Sequence, residues 1–325
     1  MEQITVLYPE ELCLLSTVAC VLGTVEMFSQ AERFWTSQGR IPKYQLLVAG
    51  TSGKKEYVRN LVSIKTDAHI AEIRKTKLII IPSALPPKDT EDNAVMTDWI
   101  AKQHKAGADI ASMCSGAFIL AATGILDGKN CSTHWTHADK FRQLYPNVNL
   151  QANQLITDEN GIYTNGGAYS FLNLLIYLIQ KYYDRETAIY CSKYLQIEID
   201  RNTQSVFSIF SGQKQHGDEI VQQAQEFIES NVDTKIFIED LSSKFAIGRR
   251  NFDRRFIKAT GNTPIEYAQR VKIETAKKAF ETTRKTVNEV MYEVGYNDVK
   301  AFREVFRKIT GMAPLAYRAK YNNTL

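Results

Sequence analysis

Cys114 stands between an apolar run, Asp109 to Met113, and a segment of small and apolar residues that begins Ser115-Gly116-Ala117. A strand that turns sharply into a helix at such a point presents its central side chain at the mouth of a sheet, with helix N-terminal amides close by. The turn is expected to expose the Cys114 thiol on a pocket floor, where the amides of Ser115 and Gly116 favour the thiolate. Such a thiol can attack a substrate, sense an oxidant or electrophile, or line a binding pocket. Turnover needs in addition a base within hydrogen-bond reach, and the residue after Cys114 is Ser115. His134 and His137 form an HxxH pair without an evident third ligand, so no metal site is assigned. The five cysteines, Cys13, Cys20, Cys114, Cys131 and Cys191, are odd in number and include no CxxC, which argues against a disulfide framework or a zinc site. No cofactor is implied.

A second chemistry lies in the last third of the chain. Residues 219–321 hold 19 Lys and Arg against 14 Asp and Glu, whereas the rest holds 21 against 22, so the whole positive excess sits in that segment. This is the charge distribution of a surface that meets a polyanion. The segment also repeats itself at an offset of fifty residues. Glu239 matches Glu289, Phe252 matches Phe302, Phe256 matches Phe306 and Lys258 matches Lys308; Thr260, Gly261, Pro264 and Tyr267 match Thr310, Gly311, Pro314 and Tyr317. In the first copy a helix over 238–245 and a turn at Ala246-Ile247-Gly248 precede a helix over 249–260. In the second, a helix over 287–294 and a turn at 295–298 precede a helix over 299–309. The paired Phe residues lie four apart and face inward. Outward are left Arg250, Asn251, Arg254, Arg255 and Lys258 in the first copy, and Lys300, Arg303, Arg307 and Lys308 in the second. A short helix, a tight turn and a second helix with a basic outer face is the geometry that seats the second helix in the major groove of double-stranded DNA.

The elements that must carry these residues differ between the two parts of the chain. Through residue 200, short apolar runs at 4–8, 44–49, 77–81 and 109–113 alternate with amphipathic stretches, the pattern of a parallel sheet flanked by helices in flavodoxin-like fashion. A hairpin is expected at 155–164, turning at 158–161, and then one long helix over 169–195 in which Tyr182 to Glu186 is a solvated end. Residues 201–218 are polar without a helical stripe and read as a linker. From 219 to 321 the pattern is all-helical. The expected organisation is thus an α/β domain over 1–200, a linker over 201–218 and a tandem helix-turn-helix domain over 219–321. No apolar stretch is long enough to span a bilayer and the N-terminus has no signal-peptide pattern, so no membrane partner and a cytoplasmic location are expected.

The segments FDRRFIKATGNTPIEYAQRVKIETAKKAF and EVGYNDVKAFREVFRKITGMAPLAYR resemble the AraC/XylS type of DNA-binding domain. That resemblance implies two readers joined by a linking helix near 264–282, with base-edge positions on Arg250, Asp253 and Arg254 and on Val299, Lys300 and Arg303. Glu304 departs from it, standing where the first copy has Arg254; a carboxylate there can accept from a cytosine amine or pair with Lys300 or Lys308. The elbow, with STHW at 132–135 and TNGGA at 164–168, resembles the PfpI-like branch of the class I glutamine amidotransferase superfamily. The pairing of both domains resembles regulators of the GlxA type. Aligned on that pattern, Cys20 falls where relatives place an acid, Ser115 where they place a His, and the loop IPSALPP at 81–87 lacks their paired glycines. The resemblance therefore implies an effector pocket built from Cys20, Ser83, Cys114, Ser115 and His134 without hydrolase machinery. The leading reading is a ligand-responsive, sequence-specific transcriptional regulator that dimerises through its first domain. The alternatives are a PfpI-like hydrolase or isocyanide-hydratase-type enzyme with a DNA-binding appendage, and a constitutive architectural DNA-binding protein.

Overall fold

The structure, a computed structural model, describes residues 1–9, 12–51, 58, 61–86, 94–199, 201–214 and 216–322. The chain divides into two compact units, one ending at Gln204 and one beginning at Ser205.

The first unit is built on a seven-stranded sheet. Its strands are β1 (Glu2–Leu7), β2 (Tyr44–Gly50), β3 (Ala68–His69), β4 (Leu78–Ile81), β5 (Asp109–Met113), and, after the small pair β6 (Asn130–Cys131) and β7 (Asn149–Leu150), β8 (Ile156–Asp158) and β9 (Ile162–Asn165). The order is β3-β2-β1-β4-β5-β9-β8, parallel except for the closing β8–β9 hairpin, which turns at the expected residues. Leu78 and Ile80 of β4 pack into one core with helices α1 (Leu15–Ser37), α5 (Phe171–Tyr182) and α6 (Arg185–Leu195). Ile79 and Ile81 pack into the other with α2 (Ala94–Lys105), α3 (Gly116–Ala122) and α4 (Ala138–Leu144). Burial on both faces is why these strands read as unbroken apolar runs. The strand order reverses between β1 and β4, and in open parallel sheets that reversal opens a crevice at the carboxyl ends of the strands.

The single helix expected over 169–195 is two. Tyr183 leaves the helical region, and Asp184 caps α6 by accepting from the Thr187 amide at 2.8 Å. The supposed solvated end is anchored: Tyr182 donates to Asp109 and Tyr183 to Glu32, both at 2.5 Å, and Arg40 pairs with Asp184 at 2.6 Å. Two tyrosines with buried hydroxyls need partners on the sheet and on α1, and the break aims them there.

The second unit is helical throughout: α7 (Glu219–Ser230), α8 (Ile238–Lys244), α9 (Arg249–Thr260), α10 (Pro264–Thr282), α11 (Val287–Glu293), α12 (Val299–Thr310) and α13 (Pro314–Tyr321). It has two cores that share α10. Tyr267 and Ala268 join α7, α8 and α9, while Ile273, Ala276 and Phe280 join α11, α12 and α13. The boundary between units falls inside the stretch expected as linker, and chain on both sides of it is fastened. Gln204 donates through Nε2 to the carbonyls of Thr133 and Ala152, both at 2.8 Å. Val206 enters the α11–α13 core, and the buried Lys277–Glu274 pair holds Ser208 and Phe210 by their backbones. Isolated apolar anchors of this kind leave no periodic stripe in the sequence. Gln215 lies outside the described residues.

Candidate nucleic-acid interface and candidate effector pocket

The repeat in the second unit is a repeat of packing. Phe252 and Phe256 lie 5.7 Å apart at 54°, Phe302 and Phe306 5.8 Å apart at 53°; Tyr267 and Tyr317 then meet Phe256 and Phe306 edge-on at 5.4 and 5.5 Å. Each tyrosine hydroxyl donates to a carboxylate, Glu229 or Glu281, at 2.5 Å. Thr260 and Thr310 each donate back to the Phe carbonyl four residues earlier and accept from the amide two residues later. Gly261 and Gly311 end the recognition helices in the left-handed region that glycine adopts without steric cost. The skeleton FxxxFxKxTGxxPxxY thus specifies a core pair, a helix stop and an edge-on lid, and its Lys and Gly positions are exposed.

One matched pair of the repeat is corrected, that of Glu239 with Glu289. The recognition helices start fifty residues apart, at Arg249 and Val299, but the helices before them start 49 apart, at Ile238 and Val287. Glu239 is therefore second in α8, whereas Glu289 is third in α11, where it closes a capping box with Thr286. The second turn is one residue longer. In both turns the left-handed position is the same by hydrogen bonding, Ala246 (φ 53°) bonding to the Ser243 carbonyl and Gly295 (φ 71°) to that of Tyr292.

Arg250, Asn251, Arg254 and Lys258 on α9 and Lys300, Arg303, Glu304 and Arg307 on α12 are exposed. Gly248, Arg249, Arg250, Asn251, Arg254 and Ile257 border a concavity of about 890 Å³ along the first recognition helix. Three of the expected contact residues have other partners. Arg255 forms a two-pronged bond with Asp218, the cap of α7, at 2.9 and 2.8 Å, so it ties the helix to its neighbour. Val299 is half-buried against the α11–α13 core. Asp253 accepts from Arg249 at 2.9 Å. None of these pairings leaves a mark in sequence spacing, apart from the i, i+4 relation of Arg249 and Asp253.

In the first unit, the loop after β4, the turn after β5 and helix α1 after β1 bring Ser83, Cys114, Ser115 and Cys20 together at the sheet's carboxyl edge, where the strand order reverses. Cys114 has φ 54°, the strained conformation of an elbow. Its amide donates to the Asn165 carbonyl and its carbonyl accepts from Thr133 Oγ1, both at 2.9 Å. Ser83 and Ser115 hydroxyls are 3.0 Å apart, and Ser115 Oγ donates to the Ala84 carbonyl at 2.5 Å. STHW and TNGGA serve this frame: the Ser132 amide donates to Thr164 Oγ1 at 2.6 Å, and Gly166 sits where an added Cβ would stand 2.1 Å from Gln204 Nε2. His134 is held within its own loop, its Nδ1 2.6 Å from Thr136 Oγ1 and its ring stacked on Trp135. Burial, and then His137, push its pKa down, which favours the neutral ring. Among the described residues no group of three His, Cys, Asp or Glu could hold a metal.

The expectation for the thiol is overturned. Cys114 is 6% exposed, and burial pushes its pKa up against the lowering effect of donors from Ser83 and Ser115. Cys20 is pushed up to about 12 by burial, opposed by the Ser83 backbone and reinforced by Cys114. Two neighbouring thiols removed from water stay protonated because losing solvation outweighs a few hydrogen bonds. Alkylation of Cys114 by iodoacetamide, followed peptide by peptide, should accordingly be slow at neutral pH and keep rising through the ordinary thiol pKa of about 8.5. A plateau below neutrality would mean that the amides prevail over burial.

A helix-turn-helix domain model matches residues 241–320, and the DJ-1/PfpI family model matches residues 23–180. The HTH-type transcriptional regulator GbdR of Pseudomonas aeruginosa is 24% identical over 220 residues, 66% of this chain, and the match spans only 59% of GbdR. The HTH-type transcriptional regulator GlxA of Rhizobium meliloti is 19% identical over 280 residues, 86% of each chain. The first unit has the fold of Drosophila melanogaster DJ-1beta, with a TM-score of 0.50 and 16% identity over 61% of this chain and 98% of that one. Among the described residues no helix is long and apolar enough to cross a membrane. The chain thus carries a DJ-1/PfpI domain followed by a helix-turn-helix domain of AraC type, and it is similar over most of its length to the HTH-type transcriptional regulator GlxA.

Proposed function

We infer that this chain is a cytoplasmic, ligand-responsive regulator that acts as a homodimer, its second unit reading double-stranded DNA and its first answering a small-molecule effector at the elbow. The observation that carries this reading is the pair of matched readers, each with a packed inner face and an exposed cationic outer one. Arg250, Asn251, Arg254, Lys258, Lys300, Arg303 and Arg307 face the duplex; Arg255 and Val299 hold the recognition helices in place.

The elbow favours binding over turnover. Cys114 is ringed by Cys20, Ser83 and Ser115, none of which can accept its proton near neutral pH, and His134 is engaged in its own loop. An enzymatic reading would regain ground if Cys114-dependent hydrolysis or hydration of small carbonyl or isocyanide compounds were measured. The DNA reading is tested by gel-shift titration of the full chain at fixed salt. Arg250→Ala and Arg254→Ala should each cost roughly 1 to 3 kcal/mol on the preferred duplex and flatten preference at one base pair. Unchanged affinity and preference in both variants would remove the first copy as a reader.

A further inference from the structure

Strand β2 leaves part of its outer edge open. β3 pairs with it only at Ala49 and Gly50. Next to that pairing, the Val48 amide donates to Asp67 Oδ2 at 2.9 Å and the Val48 carbonyl accepts from the Asp67 amide at 2.7 Å. At the start of the strand the Tyr44 amide donates to Glu32 Oε2 at 3.3 Å. Residues two apart in a strand turn their peptide groups to the same edge, so Leu46 presents its N–H and C=O outward between these two caps. Among the described residues nothing pairs with them. With Asp67 at one end and Glu32 at the other, the gap admits the main chain of one residue and not a longer strand.

The gap borders a groove of about 430 Å³ between β2 and α1, to which Val25, Phe28, Leu46 and Val48 give apolar walls. Its charged groups stand at opposite ends. Asp67 lies beside Val48, the side toward which the Leu46 carbonyl points, and its Oδ1 has no partner among the described residues. Arg33 follows Glu32, whose carboxylate caps the Lys43 and Tyr44 amides, so it belongs to the end toward which the Leu46 amide points. Arg33 is exposed and has no ion-pair partner among the described residues, whereas Glu32 is already satisfied by the two amides and the Tyr183 hydroxyl.

One acceptor beside an acid and one donor beside a base match the two ends of an α-amino acid. In an antiparallel pair two facing residues exchange both N–H···O bonds and set their side chains on the same face. An extended amino acid opposite Leu46 donates from its ammonium to the Leu46 carbonyl, on the Asp67 side, and accepts at its carboxylate from the Leu46 amide, on the Arg33 side. Both bonds are charge-assisted. The side chain of the L enantiomer then lies with that of Leu46, against Val25 and Phe28, whereas that of the D enantiomer points out of the groove. We propose that this groove binds a free L-α-amino acid with an aliphatic side chain. The site is separate from the elbow and does not depend on what binds there.

The test is calorimetric titration of the full chain at neutral pH with L-leucine, D-leucine and L-leucinamide. L-Leucine should give a saturable heat. D-Leucine should bind about tenfold more weakly, and so should L-leucinamide, which keeps the ammonium and the side chain but offers Arg33 no charge. Arg33→Gln and Asp67→Asn should each weaken L-leucine about tenfold. Neither should move the unfolding midpoint in urea, because asparagine still accepts from the Val48 amide and Arg33 ties no element down. Arg33→Gln should also bring L-leucine and its amide to within about twofold of each other, which a merely loosened groove would not do. Equal affinity for the two enantiomers, or affinity untouched by both substitutions, would place the amino acid elsewhere and overturn the assignment. Absence of saturable heat with L-leucine, L-valine and L-isoleucine alike would overturn it outright.

Discussion

Gly295→Ala should destabilise the helical unit by about 3 kcal/mol. The left-handed conformation alone costs a side chain roughly 1 to 2 kcal/mol, and crowding a filled site adds about 1 to 3 kcal/mol. Here the crowding is against backbone: the new Cβ would stand 2.2 Å from the Asp233 carbonyl oxygen, with Lys272 Nζ at 2.7 Å. That ammonium cannot swing away cheaply, since it is buried and donates to the carbonyls of Val232, Thr234 and Val294 at 2.6, 3.0 and 2.8 Å. Burial lowers its pKa, yet three carbonyl partners fill all three of its donors. The clash therefore falls on the knot that joins α10 to the second turn and to the chain after α7. Trp35, Trp99 and Trp135 all lie in the first unit, so tryptophan fluorescence follows that unit alone, while circular dichroism follows the helices of both. In urea, the fluorescence midpoint should hold while the dichroism transition moves down. Coincident, unmoved transitions would show that the second turn tolerates a Cβ. Ala246 occupies the corresponding position of the first turn and already bears the left-handed cost, with no side-chain cap on α8 or α9 to offset it.

Elements buried by simple periodicity were legible in the sequence, and pairings between distant residues were not. β5 runs over the five residues its apolar composition predicts, because a strand covered on both faces has little choice of residue type. The recognition helices were legible for the same reason, through Phe pairs four apart. The break at Tyr183 was hidden because its cause lies across the sheet, in Glu32 and Asp109. Arg255 looked like its basic neighbours, and only the fold brings Asp218 to it. The first helices of the two copies start 49 residues apart in the fold as in the expected bounds, so the match of Glu239 with Glu289 at fifty is accidental. At the elbow, residue types announced the turn but not the depth of its burial, and depth decides the state of the thiol. The Ser115 amide is present as the motif implies, a Ser83 hydroxyl joins it where the Gly116 amide was expected, and both are outweighed by desolvation.

Gly116→Ala tests that elbow where it is least able to yield. An added Cβ would stand 2.4 Å from the Pro82 carbonyl oxygen and 2.8 Å from that of Ile81, both backbone atoms at the end of β4. No rotamer change relieves such a contact. β4 and β5 are locked in parallel register from Leu78 with Asp109 to Ile81 with Ser112, so the turn must lift off the strand end instead. Lifting it separates Ser115 from Ser83 and Ala84 and opens Cys114 to solvent. The expected cost is roughly 3 kcal/mol or more, at the upper end of what overpacking exacts in a filled core. Three readouts should move together: the fluorescence midpoint in urea falls, Cys114 alkylation quickens at neutral pH, and any effector-dependent change in DNA binding disappears. Affinity for DNA without effector should persist, because the readers stand on two cores of their own. A stable, slowly alkylated Gly116→Ala protein would show that the approach of α3 to β4 is looser than a hydrogen-only side chain demands. Loss of effector response with an unmoved midpoint would instead place Gly116 in contact with the effector, and the strained turn would then be a binding surface rather than a frame for one.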